Sequence, residues 1–208
     1  MHLETGHLYH IYNRGNNSQK IFYNRENYLF FLKKIRLYVL PYADILAWVL
    51  MPTHFHIMVY VKAVSVDSVD NESLTLSETL SINNIHPKSR SFNNAVGIML
   101  HTYSRAIQKQ EKMTGSLFQE HTKASCLTNP DEIDFNWYYE DYELQNNYVL
   151  TKQDYPTVCF GYIHENPVKS SLCHSIVDWE FSSAPDYFAK RKGKLINKAR
   201  AKEFGLFE

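Results

Sequence analysis

The chain has 208 residues, 44% hydrophobic content and a formal net charge of zero at pH 7, which is ordinary for a globular protein. This length suits one domain with insertions, and the zero net charge excludes a strongly basic protein that attracts nucleic acid through its overall field. The three cysteines are not closely paired, and no stretch is apolar for long enough to span a membrane. We therefore expect a cytoplasmic protein with reduced thiols and no membrane partner.

Charge and composition change along the chain. Residues 131–143 hold six acids and no Lys or Arg, whereas residues 190–202 hold seven bases and no acid. Two stretches lack a sustained hydrophobic period, which is typical of inserted segments. We predict one domain with two insertions and a basic C-terminal tail, with these bounds: the domain over 1–188, insertions near 65–94 and 129–147, and the tail over 189–208.

The N-terminal part of the chain predicts a strand, a helix and a hairpin. Residues 8–13 alternate as a strand does and run into a glycine-containing turn. Asn24 can cap a helix that carries apolar residues at helical spacing and ends before Pro41. Residues 43–50 are typical of a buried strand, and the short turn at 51–53 implies an antiparallel hairpin.

Two histidines begin the second strand of this hairpin. His54 and His56 are two residues apart, so in a strand they project from the same face. Met58 and Tyr60 would continue that face, while the intervening apolar residues would pack under helices. Imidazole is a common metal ligand, so the pair can supply half of a metal site, although strand histidines are more often hydrogen-bonded structural residues.

Two helices are predicted in the second half of the chain. In the first, Tyr103 shares a face with apolar residues, which favours a core position over a reactive one. The second covers residues 158–165, and Tyr162 and Asn166 are four residues apart on one face. Pro167 disfavours helical geometry at the residue before it, so we expect Asn166 at the very end of the helix. Four more histidines are interpreted as surface or edge residues: His10, His101, His121 and His164.

The order of these elements predicts the fold class. A strand, a helix, two strands and then further helices indicate an α+β protein with an antiparallel sheet. We expect a ferredoxin-like or RRM-like arrangement, in which helices pack on the sheet and the strand of the two histidines is central.

Four motifs in chain order resemble a known family. They are Tyr9-His10-Ile11-Tyr12-Asn13-Arg14-Gly15-Asn16, Met51-Pro52-Thr53-His54-Phe55-His56, Gly115-Ser116-Leu117-Phe118-Gln119 and Tyr162-Ile163-His164-Glu165-Asn166-Pro167-Val168-Lys169. In these motifs the chain resembles the single-tyrosine HUH transposases of the insertion-sequence-200-like class, and especially the REP-associated tyrosine transposases. The resemblance spans roughly residues 7–187.

The resemblance implies roles for four residues. His54 and His56 match the metal-binding histidines of the family. Tyr162 matches its nucleophile, and Asn166 falls where the family places a third, amide-bearing ligand. A tyrosine hydroxyl is a poor nucleophile at neutral pH, so it needs a nearby cation, here Mg²⁺ or Mn²⁺. The implied activity is metal-dependent cleavage and strand transfer of single-stranded DNA near hairpins, through a 5′-phosphotyrosine intermediate.

Cationic side chains are candidates for contact with the DNA phosphates. We expect this role for five residues: Arg14, Lys123, Lys169, Arg191 and Lys192. Two alternatives remain open, namely a transposase-derived protein that binds a DNA or RNA hairpin without cutting it, and a phosphohydrolase that uses water. A homodimer is one option for the assembly, and the sequence leaves open whether the protein is a monomer or a dimer.

Overall fold

The computed structural model describes residues 1–68, 88–129, 155–189 and 191–207. Its strands are β1 (Leu8–Arg14), β2 (Ala43–Met51), β3 (His54–Val61), β4 (Ser65–Ser68), β5 (Lys88–Ser91) and β6 (Lys123–Cys126). Its α-helices are α1 (Arg25–Tyr38), α2 (Phe92–Glu111), α3 (Tyr155–Lys169), α4 (Ala184–Phe188) and α5 (Lys198–Glu203). No helix within these ranges is long and apolar enough to cross a membrane.

The main sheet has the strand order β2-β3-β1-β6, and all neighbouring strands are antiparallel. Because β1 and β2 both run opposite to β3, they are parallel to each other, and α1 connects them. In the same way α2 leads towards β6, which lies on the far side of β1 from β3. This split β-α-β topology is that of ferredoxin-like folds. The predicted α+β class is therefore confirmed, with the two histidines on a central strand.

The hairpin of β2 and β3 sets the positions of the histidines. Only Pro52 and Thr53 separate the two strands, and Met51 is paired with His54. Most of the first predicted insertion, like most of the second, lies outside the described residues. Its base is an antiparallel hairpin of β4 and β5, which leads directly into α2.

The two faces of the sheet differ in composition. The face that packs on α1 and α2, here called the apolar face, includes Tyr9, Ile11, Phe55, Ile57, Val59 and Val61. The opposite face, here called the histidine face, includes His10, Tyr12, His54, His56 and Met58, and it packs on α3. The alternation along β3 therefore separates its side chains as the sequence predicts.

The helices on the apolar face begin and end as their sequences suggest. The Asn24 side chain accepts a hydrogen bond from the backbone of Asn27, which in turn caps the Asn24 backbone, so α1 starts with a capping box. Tyr103 of α2 is fully buried, and its hydroxyl donates to the Ile21 carbonyl at 2.6 Å. Tyr103 is thus a core residue, in agreement with its position on the apolar side of the helical period.

The end of α3 differs from the prediction. The helix does not stop near residue 165 but continues through Pro167 to Lys169, so Asn166 lies inside its last turn. A proline in a helix removes one backbone hydrogen bond and crowds the preceding turn. Here Asn166 and Pro167 are both buried. Packing outweighs the local preference that the sequence pattern expresses.

The C-terminal segments run along the outer side of β2. The backbone N–H of Leu50 donates to the Phe181 carbonyl at 2.8 Å, and Ser183 donates to the Trp48 carbonyl at 2.9 Å. Further along, Asn197 donates to the Ile45 carbonyl at 2.8 Å. The described part of the predicted basic tail therefore packs against the sheet, and the domain boundary at residue 188 stays a prediction.

Candidate functional site

Strand β3 presents two histidine rings side by side. The ring centroids of His54 and His56 are 5.0 Å apart, and the ring planes are nearly perpendicular at 81°. His54 is half-buried at the mouth of the hairpin, whereas His56 is only 5% exposed. The strand period thus supplies one accessible and one enclosed imidazole on the same face.

Helix α3 brings the other two predicted residues to these rings. Asn166 Oδ1 lies 3.3 Å from His54 Nε2, although the two residues are 112 positions apart in the chain. The Tyr162 ring meets the His56 ring edge-on, with centroids 5.3 Å apart and planes at 85°. Because Tyr162 and Asn166 are one helical turn apart, both face the histidine pair. All four residues are therefore brought together.

His10 of β1 completes the cluster, and the interpretation of it as a surface or edge residue was wrong. Its side chain is fully buried, and its Nε2 lies 2.8 Å from His56 Nδ1. In the β1–β3 ladder Tyr12 is opposite His56, which places His10 diagonally beside His56 on the histidine face. The alternation along β1 shows that His10 shares a face with Tyr12, but the sequence does not reveal the register.

Burial keeps the two inner rings neutral. It lowers the pKa of His10 to about 3. The pKa of His56 is also lowered well below its ordinary value, first by burial and then by the neighbouring His10, His54 and Arg14. A neutral imidazole has one nitrogen lone pair and can act as a metal ligand at neutral pH.

The outer ring has hydrogen-bonding partners at both nitrogens. His54 Nδ1 lies 2.9 Å from the Thr53 hydroxyl oxygen, and His54 Nε2 faces Asn166. A hydroxyl can donate or accept, so the Thr53 contact is compatible with either tautomer of His54. When Nδ1 carries the proton, the Nε2 lone pair is directed at the site.

The donor atoms of this cluster fit a divalent ion. Within the described residues, His56 Nε2 is buried and has no hydrogen-bond partner. Two ligands about 2.1 Å from one ion lie about 3.0–3.4 Å apart, and the His54–Asn166 separation of 3.3 Å falls in that range. Among the residues that the structure describes, no group of three or more His, Cys, Asp or Glu side chains is arranged to hold a metal ion. A metal here would therefore depend on the amide oxygen of Asn166.

Two of the predicted phosphate-binding cations, Arg14 and Lys123, lie beside the histidine face, and a third, Lys169, lies at the end of the helix that packs on it. Arg14 is exposed and lies opposite His54 in the β1–β3 ladder. Lys123 is exposed, lies opposite Tyr12, and its Nζ is 5.7 Å from the centre of the Tyr12 ring. At the end of α3, Lys169 forms an ion pair of 2.8 Å with Glu165. The contact of these three residues with DNA stays a prediction.

The two cations predicted from the basic tail have different surroundings. Arg191 Nε lies 2.7 Å from a carboxylate oxygen of Asp186, which is 2% exposed, and Arg191 also donates to the Glu180 carbonyl at 2.6 Å. Lys192 is exposed. Arg191 thus has a structural role in compensating a buried charge, whereas binding of phosphate by either residue stays a prediction.

His164 is the second histidine that the sequence analysis misplaced. It is 1% exposed, and its Nε2 lies 2.7 Å from the hydroxyl oxygen of Ser183. Burial lowers its pKa to about 3. His164 therefore joins α3 to the segment beside β2 and is not a surface residue. In contrast, His101 and His121 are exposed, as interpreted.

Comparisons with known proteins give one structural similarity. The chain is similar to a solved structure of a REP-associated tyrosine transposase bound to a REP hairpin, with 14% sequence identity and a TM-score of 0.49. The similarity covers 100% of this chain and 86% of that one. No protein-family model matches the sequence, and a search of curated proteins finds no match.

Proposed function

We propose that the protein is a metal-dependent endonuclease and strand transferase for single-stranded DNA, a transposase of the single-tyrosine HUH type. One observation carries the proposal: α3 places Tyr162 and Asn166 against the two histidines of β3, with Asn166 Oδ1 3.3 Å from His54 Nε2. The substrate, a single strand beside a DNA hairpin, comes from the motif resemblance. Two exposed cations beside the histidine face, Arg14 and Lys123, are compatible with that substrate.

The proposed reaction transfers a phosphoryl group to the protein. The Tyr162 hydroxyl oxygen attacks a backbone phosphorus, forming a bond to the 5′-phosphate, while the bond to the 3′-oxygen breaks and that oxygen leaves as a 3′-hydroxyl. A divalent ion such as Mg²⁺ or Mn²⁺, held by His54, His56 and Asn166, would supply Lewis-acid stabilisation of the phosphate charge. The phosphotyrosine ester is a phosphodiester like the bond it replaces, so a 3′-hydroxyl can reverse the step without ATP.

A second function is favoured by one feature of the site. Tyr162 is only 2% exposed, so a DNA strand reaches its hydroxyl only after neighbouring side chains move. If they do not move, the histidine face can hold a hairpin without cutting it. The alternative is therefore a non-cleaving hairpin-binding protein with an intact but enclosed cluster.

The test uses hairpin-bearing single strands, labelled at either end, incubated with the protein and Mn²⁺. We expect a nicked product and a covalent protein–DNA adduct on a denaturing gel. Tyr162→Phe removes only the hydroxyl, so it should abolish both products while hairpin binding persists. Tyr103→Phe is the matched control, because that hydroxyl is buried against the Ile21 carbonyl, and it should retain both products.

Three results would contradict the proposal. Adducts that persist in Tyr162→Phe and map to another tyrosine would show that α3 is not the catalytic helix. Cleavage without any adduct in the wild-type protein would make water the nucleophile. Tight hairpin binding without cleavage, over a series of hairpins and divalent metals, would favour the binding protein.

A further inference from the structure

A cavity of about 360 Å³ lies between α2 and the segment of residues 116–122, here called the wall segment. A cavity of this size holds a ligand as large as a nucleobase, and the proposed reaction does not use it. One stripe of α2 lines it at helical spacing. The residues of this stripe are Gly97, Leu100, His101, Ser104, Arg105 and Gln108.

Hydrogen bonds to β1 hold the wall segment in place. The backbone N–H of Gln119 donates to the Arg14 carbonyl at 2.9 Å. The buried Asn13 side chain donates to the Gln119 carbonyl at 3.2 Å and to the Thr122 hydroxyl oxygen at 3.0 Å. A wall that is ordered before a ligand arrives reduces the entropy lost on binding.

Two charged side chains line the cavity from different elements, Arg105 from α2 and Glu120 from the wall segment. Both are exposed, and neither forms an ion pair with any residue that the structure describes. A carboxylate in the same cavity repels a free anion such as phosphate. The cavity therefore suits a neutral group that offers acceptors to the guanidinium and donors to the carboxylate.

We propose that this cavity binds a guanine base, carried either by a free nucleotide or by a DNA strand. The Arg105 guanidinium has two parallel N–H donors, which match the O6 and N7 acceptors of guanine. The Glu120 carboxylate has two acceptor oxygens, which match the N1–H and N2 amino donors on the neighbouring edge of the base. Adenine, cytosine and thymine do not combine two adjacent acceptors on one edge with two adjacent donors on another. Leu100 and Phe118 supply apolar surface for the ring face.

The cavity and the histidine face lie at the same end of the sheet. Asn13, which lines the cavity, directly precedes Arg14, and Thr122, which also lines it, directly precedes Lys123. Consecutive residues of a strand project to opposite faces, so each pair serves both sides. A DNA strand bound at Lys123 can reach the cavity around β6, the outermost strand of the sheet. The binding of guanine itself does not depend on the proposed DNA cleavage.

Two substitutions in the full-length protein alter the cavity. A Cβ added at Gly97 meets no other heavy atom within 4 Å, and Leu is a better helix former than Gly, so Gly97→Leu should fold and fill part of the cavity. Glu120→Gln keeps the size of the side chain but replaces one acceptor with an amino donor. Ala106→Leu is the matched control, at an exposed position of α2 that does not line the cavity. Thermal melting checks that each variant folds.

Two sets of ligands, used without metal, distinguish the two sources of the base. Calorimetry compares 5′-GMP, 5′-IMP and 5′-AMP, and fluorescence anisotropy compares oligo-dT strands with one central dG, dI or dA. Hypoxanthine, the base of IMP and dI, lacks only the N2 amino group of guanine. Within each set the phosphates are the same, so a difference in affinity reports the base.

We expect the wild-type protein to prefer guanine to hypoxanthine and adenine by about 10- to 100-fold in at least one set. Glu120→Gln should bind guanine and hypoxanthine equally, Gly97→Leu should lose about 10-fold or more in affinity for guanine, and Ala106→Leu should match the wild type. A preference among mononucleotides identifies a free nucleotide as a ligand. A preference among strands alone identifies a base whose binding needs contacts to the DNA backbone.

Two results would overturn the proposal: no preference for guanine in either set, or a preference that persists in both Gly97→Leu and Glu120→Gln. The second result would place the base outside the cavity. Protein that cuts DNA but shows no preference for guanine overturns only this inference. Protein that prefers guanine through the cavity but never cuts DNA contradicts only the proposed function.

Discussion

Alternate residues of β3 lie on the two faces of the sheet, and their surroundings on the two faces differ. On the apolar face, β3 contributes fully or almost fully buried hydrophobic side chains that pack among aromatic residues of α1 and α2. On the histidine face, alternate residues of β3 contribute ring nitrogens whose directions matter and whose partners come from β1 and α3. Packing tolerates changes of shape, whereas a hydrogen-bonded cluster depends on individual atoms. Core residues and residues of the candidate site thus alternate along β3.

The substitution Phe55→Ala tests whether a change on the apolar face affects the residues of the histidine face. Phe55 is fully buried, and its ring lies 5.1 Å from that of Phe31. Removing such a ring from a core should lower the free energy of unfolding by about 3–5 kcal/mol. Urea denaturation measures the loss, and the folded fraction should keep the His54–Asn166 geometry and its Mn²⁺ affinity. A loss of affinity in fully folded protein would show that the faces are coupled.

The substitution His56→Ala, at the next residue, tests the contribution of the histidine face to cleavage and to stability. It removes a proposed ligand, so Mn²⁺-dependent cleavage should fall by roughly 10³-fold or more, about 4 kcal/mol of transition-state stabilisation. The cost in folding stability should be about 2–3 kcal/mol, because the variant loses the buried hydrogen bond with His10 and leaves a cavity where the ring packed. Single-turnover cleavage assays and urea melts give the two quantities. Undiminished cleavage by this variant would remove the metal site from the proposal.

A charge pair near the edge of the sheet gives a smaller effect. Arg191 compensates the buried carboxylate of Asp186, so Arg191→Gln should cost about 1.5–3 kcal/mol of stability. Lys192→Gln is the matched control at an exposed position and should stay within about 0.5 kcal/mol of wild type. If Arg191 serves mainly to bind DNA, the result reverses: Arg191→Gln melts normally, and only its DNA affinity falls.

The free energy of unfolding should fall at acidic pH, and His164 of α3 should contribute to that fall. Its folded-state pKa of about 3 lies below the ordinary value of 6.5, so the unfolded chain takes up a proton that the folded chain excludes. The stabilising contribution is complete above pH 6.5 and is lost as the pH falls from about 6.5 towards 3. The slope from this one group approaches about 1.4 kcal/mol per pH unit.

His164→Gln should flatten that acid slope, because Gln does not titrate and its amide can bond to the Ser183 hydroxyl. His101→Gln is the control, since His101 is exposed. Urea melts at half-unit pH steps give the slopes. Equal slopes in wild type and His164→Gln would show that His164 is not held neutral by burial.

The smallest effect concerns the border of the histidine face. If Lys123 contacts one phosphate, Lys123→Gln should reduce the slope of log affinity against log salt by about 0.7 for a single strand. Lys33 lies exposed on α1, the helix of the apolar face, and Lys33→Gln should leave the slope unchanged. Fluorescence anisotropy over a salt series measures both. Equal slopes for the two variants would remove Lys123 from the DNA contact.

Local patterns were sufficient for much of this architecture. The alternation after His54 predicted both faces of β3, the turn at 51–53 predicted the hairpin, and Asn24 predicted the start of α1. Each depends on residues near one another in sequence, where backbone geometry sets side-chain direction. The pairing of Tyr162 with Asn166 succeeded for the same reason, because a helical turn brings them together.

Features that depend on distant residues were missed. His10 belongs to the cluster because Tyr12 pairs with His56, and no local pattern encodes that register. His164 is buried because the segment containing Ser183 returns to cover it. Pro167 stays helical because tertiary packing outweighs its local preference. In each case the deciding partner is another element of the fold, so the residue type alone was not informative.

The segments that run beside β2 have a consequence for solubility. An uncovered outermost strand presents free backbone groups on which another chain can assemble, and proteins commonly shield such strands. Here Ser182 bridges to Val49, and Ile196 bridges to Ile45, so different parts of the C-terminal region shield two stretches of β2. Removing the chain beyond residue 190 would expose the backbone of β2 near Ile45 and should favour strand pairing between molecules. By covering this edge of the sheet, the basic C-terminal region should reduce self-association of the protein, independently of any binding by its charged side chains.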